Sequence, residues 1–336
     1  MTVKFALGVT PASLEDFLRC VRLADECGIA AIGVADSQSL FHETWSSCAL
    51  AAMNTKNILI GPWVTNPVTR HLAVTASAAM TLDDISEGRA FLGIGPGDSA
   101  IYNLGLKPPS LGSLERPIKH IRELLEQGST DLEGSTAKLT WGSRHIPIGI
   151  PVSGPKGFHM AGRLADIVWV ALGLVPEIIQ AAQETMRAGA EEAGRSLDDI
   201  DVWWYAPVGI GESRRKAIDA MKGILSTVAF VSLRFTLVGK FVPDNVAESV
   251  RQFISGYTSV SHASPADENP NVKLMERLGL TDYFADRFAI AGTPQECAQQ
   301  IKDLEPRGVS QFMVPVVVAD KTSYVKQLRD ELMPLV

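Results

Sequence analysis

Apolar residues in this chain recur at two periods that take turns from one end to the other. Short β-branched runs, about the length of a strand buried on both faces, alternate with longer segments in which apolar side chains return every three or four positions. The pattern is clearest in NILIGPWVTNPVTRHLAVTASAAMTLDDISEGRAFLGIGPGD, residues 57–98. Residues 57–64 read as one strand and 89–95 as another. Between them Leu72, Thr75, Ala76, Ala79, Met80 and Leu82 stand at helical spacing. This is a βαβ unit, so its strands are expected to lie parallel with a right-handed crossover. They end in Thr65-Asn66-Pro67 and Gly95-Pro96-Gly97-Asp98. In parallel α/β folds ligands sit at such ends.

The same rhythm predicts further strands at 3–9, 30–35, 146–152, 166–171, 202–210 and 309–318. Helices are predicted from Ser13, an N-cap with Asp16 three residues on, to Gly28, then over 43–53, 71–86, 113–127, 158–164 and 176–193. Two more start at Ser213 and at Thr293, where Pro294 and Glu296 complete a capping box; residues 323–332 close the chain as a helix. Residues 130–144 read as a small hairpin with 138–141 as a strand. Residues 99–113 read as a long loop suited to a lid or a substrate wall. Residues 231–286 break the rhythm with helical pieces and the polar stretch TSVSHASPADENPN, read as a mobile loop. Eight strands alternating with eight helices predict one α/β domain over 1–336. It is a (β/α)8 TIM barrel with an insertion at about 231–286, between strands seven and eight. A doubly wound sheet is the alternative. Trp203 and Trp204 take opposite faces of strand seven, so only one points into the barrel.

Composition narrows the class. The 336 residues exceed the roughly 250 that such a barrel needs. Hydrophobic residues make up 46% and charged residues 21%, as in ordinary globular proteins. A net charge of −7 argues against non-specific nucleic-acid binding. Cys20, Cys27, Cys48 and Cys297 form no C-x-x-C pair, and no histidine stands with acids at ligand spacing, so no metal is expected. The N-terminus lacks a basic n-region, and no apolar run reaches membrane-spanning length. A soluble, cytoplasmic protein is expected, with no membrane partner.

Ser153-Gly154-Pro155-Lys156-Gly157 carries the best chemical signal. A buried strand runs into a glycine-rich turn and a helix start, where free amides and the helix dipole suit a phosphate and Lys156 adds charge. The same five residues also make a tight strand-to-helix turn with no ligand. Gly93, Gly95 and Gly97 lack the spacing of a dinucleotide fingerprint; they let a flat ligand approach the backbone, or simply bend the strand end. Asp36 ends strand two, facing the pocket or capping the next helix. Trp63 ends strand three, as the wall of a ring site or as core.

IGPWVTNPVTRHLAVTASAAMTLDDISEGRAFLGIGPGD, PVSGPKGFHMAGRLAD and FAIAGTPQECAQQI resemble the bacterial luciferase-like superfamily of flavin- and deazaflavin-dependent oxidoreductases. Within it they are most similar to the methylenetetrahydromethanopterin reductase branch. The likeness spans nearly the whole chain. It implies a (β/α)8 barrel that binds its cofactor at the C-terminal strand ends, with a phosphate on Ser153 to Gly157. It also implies a non-proline cis peptide at Trp63–Val64 behind the ring, Gly95, Gly97 and Asp98 beside it, and a homodimer. Asp36, Thr65 and Asn66 become the catalytic set. Thr65 and Asn66 would bond the ring edge or an oxygen adduct, and Asp36 would position ring or ribityl groups. Two positions depart from the reductase branch: Gly8 stands where a first-strand glutamate is usual, and Asp36-Ser37 where Asp-His is common. On that ground a two-component monooxygenase is expected, using reduced FMN from a separate flavin reductase, oxygen and a small organic substrate. Hydride transfer with the deazaflavin coenzyme F-420 is the alternative, and a non-catalytic flavin-binding protein a third.

Overall fold

The computed structural model describes residues 2–132, 134–258 and 268–336. The first half runs β1 (Lys4–Val9), α1 (Leu14–Glu26), β2 (Ala31–Val34), α2 (Thr44–Met53), β3 (Leu59–Pro62), α3 (Leu72–Ser86), β4 (Leu92–Gly93), the short α4 (Ser99–Tyr102) and α5 (Glu115–Gln127). A hairpin of β5 (Ser129–Leu132) and β6 (Ser135–Lys138) follows, then β7 (Ile148–Val152), α6 (Pro155–Leu164), β8 (Ile167–Val170) and α7 (Pro176–Glu192). The rest is β9 (Asp201–Tyr205), β10 (Val208–Ile210), α8 (Arg214–Leu233), α9 (Asp244–Gly256), α10 (Pro270–Arg277), α11 (Thr281–Phe288), β11 (Ile290–Gly292), α12 (Pro294–Leu304), β12 (Gln311–Val316) and α13 (Lys321–Gln327).

Eight parallel strands hydrogen-bond in the order β3-β2-β1-β12-β9-β8-β7-β4. Parallel bridges between Ile60 and Ala90 and between Thr65 and Ile94 join β3 to β4 and complete the circuit. This is the expected (β/α)8 barrel, with the extra helices between its seventh and eighth strands. No helix among the described residues is long and apolar enough to cross a membrane.

The barrel interior is aromatic. Phe91, Trp169 and Trp203 cluster with Ala6, Ala31, Ile167 and Met313, and Trp63, Val64 and Tyr205 pack against them. A barrel of this width is filled by layers of inward side chains, and rings so large need bare backbone opposite. A Cβ on Gly8 would lie 2.1 Å from Trp63, one on Gly33 2.5 Å from Trp63, and one on Gly149 2.1 Å from Trp169. The outward strand faces, including Leu7, Ile32, Ile148, Val168, Trp204 and Val314, belong to the larger core beneath the helices. Trp203 is thus the inward member of its pair.

Four elements differ from the sequence pattern. The loop expected over 99–113 opens with the short helix α4. The predicted strand 202–210 is two strands, broken at Ala206-Pro207. Pro207 has no amide to continue the ladder, and β10 leaves the barrel to pair with β11, a three-residue strand that periodicity did not reveal. The hairpin pairs Ser129–Leu132 with Ser135–Lys138 rather than using 138–141. The helix capped by Ser213 runs to Leu233, across the expected start of the insertion. Of the polar stretch 258–271, residues 259–267 lie outside the described residues. The capping box Thr293–Glu296 forms as expected.

Candidate active site at the barrel mouth

Just beyond β2, the Asp36 side chain is 1% exposed. Its carboxylate accepts hydrogen bonds from Thr65 Oγ1 at 2.7 Å and Arg70 Nη1 at 2.6 Å. Arg70 reaches on to Glu43 at 2.7 Å, and Glu43 also accepts the Ser46 amide at 2.8 Å as N-cap of α2. Burial works against its ionisation, yet the Ser46 and Trp45 amides and the Arg70 charge hold Glu43 below the usual carboxylate range. An acidic strand end is therefore locked by its own guanidinium.

Asn66 is 1% exposed. Its Oδ1 accepts the amides of Val68 and Thr69 at 3.0 and 2.9 Å, an Asx turn that starts the connection to α3. The Nδ2 group, by contrast, is buried with no partner. Opposite it Gly97 takes φ +86°, and a Cβ there would meet Ile101 at 2.6 Å and Asn66 at 3.1 Å. Only glycine lets the two strand ends come this close. The Trp63–Val64 peptide is cis. The Trp63 indole lies across Gly8 and Gly33, and its Nε1 is also buried without a partner. Gly8, where a glutamate is usual in the reductase branch, has its side-chain space filled by this indole.

Asp36, Trp63, Val64, Thr65, Asn66, Gly95, Gly97 and Asp98 thus come together as one surface. Ser37 bonds Ser99 at 2.8 Å and Gln38 bonds the Ala100 carbonyl at 2.8 Å, fastening the end of β2 to the loop after β4. Gly95 is the link to β7, since its Cβ would meet Val64 at 3.0 Å and Pro151 at 3.1 Å.

Beyond β7, Gly154 is the N-cap of α6 with no side-chain cap, and Pro155 opens the helix. The amides of Gly157 and Phe158 bond the Gly154 carbonyl. Lys156 is exposed. The cation brought against this turn is Lys240, whose Cε lies 3.7 Å from the place of a Gly154 Cβ. Lys240 is 5% exposed and donates to the carbonyls of Ser232 and Arg234. Burial, with the nearby charges of Arg287 and Arg234, pushes its pKa down to about 8. Arg287, 2% exposed, pins the same segment through the carbonyls of Lys240, Phe241 and Leu172 and the Tyr283 hydroxyl. Arg234 pairs with Asp98 at 2.5 Å, tying the insertion to the loop after β4.

Arg70, Lys240 and Tyr205 were not found from the sequence. Arg70 is the lone cation in the strand-three loop, five residues past Thr65, and Tyr205 shares the inward parity of Trp203. Lys240 left no signal, because its neighbour is Gly154, 86 positions away (240 − 154).

These features fit a planar, carbonyl-bearing ring with an anionic tail. Asn66 Nδ2 is a buried donor without an acceptor, Gly95 and Gly97 keep the backbone bare, and an uncapped helix start beside Lys240 favours negative charge. A family model described as luciferase-like monooxygenase matches residues 1–311. The 5,10-methylenetetrahydromethanopterin reductase of Methanolobus tindarius is 31% identical over 299 residues, covering 87% of each chain. The structure of the coenzyme F420 dependent tetrahydromethanopterin reductase from Methanopyrus kandleri superposes with TM-score 0.78 at 27% identity, covering 99% of each chain. A type II Baeyer-Villiger monooxygenase from Pseudomonas putida, solved in complex with FMN, shares the fold at TM-score 0.65 and 18% identity, covering 99% of each chain.

Proposed function

We propose that this chain, which belongs to the luciferase-like monooxygenase family and is an oxidoreductase, transfers hydride between a deazaflavin coenzyme of the F420 kind and a small organic substrate. The carrying observation is the unpartnered Nδ2 of Asn66 at a mouth shared with F420-dependent relatives. Asn66 would donate to a ring carbonyl. Asp36, held by Thr65 and Arg70, would fix that edge of the site, and Trp63 with Val64 would back the ring. The start of α6, from Ser153 to Gly157, would take the anionic tail with Lys240 beside it. When bound and reduced, the deazaflavin supplies hydride; the protein orients the partners and keeps water from them.

The sequence alone favours reduced FMN with a separate flavin reductase. Its support is weaker, because FMN enters only through remote structures such as the 18%-identical monooxygenase. Fluorescence titration of the apoprotein with FMN, reduced FMN and F420 separates the two readings. Micromolar affinity for F420 alone is expected, and uptake of reduced FMN alone would defeat the deazaflavin reading.

The enzyme is further proposed to be a cytoplasmic homodimer built from one barrel domain. Its four cysteines are unpaired. The ten residues of α2 carry no charge, while Met53 is 74% and Val74 in α3 56% exposed. A helix facing water would carry polar residues there, so a second copy is the proposed cover. Light scattering should return the mass of two chains; a monomer would remove this part.

A further inference from the structure

We infer that the Tyr205 hydroxyl is the proton donor of this site and that the substrate is a neutral, polarised double bond, a ketone or imine. The inference rests on the hydride-transfer reading.

Alternation along β9 turns Asp201, Trp203 and Tyr205 inward. Asp201 is satisfied lower in the barrel, where it accepts from Trp203 Nε1 at 2.8 Å and from Gln311 Nε2 at 2.5 Å. Tyr205 is the last residue of the strand and so stands at the C-terminal mouth, where barrel enzymes place their chemistry. Its ring centroid lies 5.2 Å from that of Trp63, the indole proposed to back the ring. The residue is half-buried, and its hydroxyl forms no hydrogen bond among the described residues. A phenol set among rings ordinarily finds a partner, so an open one is free for a ligand.

The carboxylates of the mouth are paired, while His42, in the loop after β2, is exposed to solvent. Asp36 holds Arg70 and Thr65, Glu43 holds Arg70, and Asp98 holds Arg234. His71 Nδ1 accepts the Ala73 amide at the start of α3. Lys240 serves backbone carbonyls on the α6 side. Burial raises the Tyr205 pKa with no charged group opposing it, which keeps the phenol protonated and able to donate.

The step balances. Hydride from the reduced deazaflavin forms the new C–H bond and brings both electrons. The C=O or C=N π-bond opens, and the oxygen or nitrogen takes the phenolic proton. A water molecule then reprotonates the phenolate. A substrate that already carries its positive charge would need no such donor.

Tyr205→Phe keeps the ring and removes the hydroxyl. With cyclohexanone as a neutral carbonyl probe, three results are expected together. F420 affinity, read by fluorescence, stays unchanged. Cyclohexanone affinity for the coenzyme-free protein, read by intrinsic tryptophan fluorescence, falls about fivefold. Turnover with reduced F420 falls by about 100-fold or more, and the solvent deuterium isotope effect of the wild type disappears. Full activity in the variant would overturn the assignment. So would loss of turnover together with F420 binding, which marks a packing role, or a wild type that neither binds nor reduces cyclohexanone. A wild type that ignores F420 yet loses cyclohexanone affinity on the substitution would end the coenzyme reading and keep the hydroxyl's contact.

Discussion

On the β2–β3 side of the mouth charge is cancelled within the chain: Asp36 takes Arg70, and Arg70 takes Glu43. On the α6 side it is not. Lys240 and Arg287 are buried against backbone carbonyls and a tyrosine hydroxyl. The first side balances its charges without a ligand, whereas the second carries positive charge with no carboxylate among its hydrogen-bond partners. Neutral donors and rings therefore belong to one half of the site, and an anion to the other. Asp98 with Arg234 is the strap between them.

Breaking the first side should have the largest effect. Arg70→Ala strips the counter-charge from a carboxylate whose side chain is 1% exposed. Removing one member of a buried pair costs about 3–5 kcal/mol. Urea unfolding should show a loss of that order, and a loss within error would mean that Asp36 finds water instead.

The second side should respond to pH. Lys240 titrates near 8 when folded and near 10.4 when unfolded. Between these values the unfolded chain holds the extra proton, so stability should rise with pH across that window by on the order of 3 kcal/mol. The gain is lost as pH falls back through about 8. Lys240→Met should abolish this rise, seen as the difference between the two proteins' unfolding curves, and should weaken F420 binding. A bound anion should flatten the wild-type rise by restoring the ammonium.

The smallest effect is expected at Lys156, the cation that the sequence put forward. It is exposed, so Lys156→Ala should change stability by no more than about 0.5 kcal/mol. Its effect on F420 affinity, from the same titration, should be smaller than that of Lys240→Met. The reverse ranking would return the anion's charge to the helix start.

Local rules made much of this protein readable. Period-two and period-3.6 runs marked eight strands and their helices, and parity turned Trp203 inward. Thr293 and Glu296 announced a helix start. Polar strand endings located Asp36, Thr65, Asn66 and Gly97 because each lies within a few residues of the strand that positions it. Only the folded chain decided that Gly8 yields its space to Trp63, that Pro207 diverts the seventh strand toward β11, and that Lys240 lies against Gly154. These depend on which side chains meet across the barrel. That is a matter of volume and burial between residues far apart in the chain, and no periodicity records it.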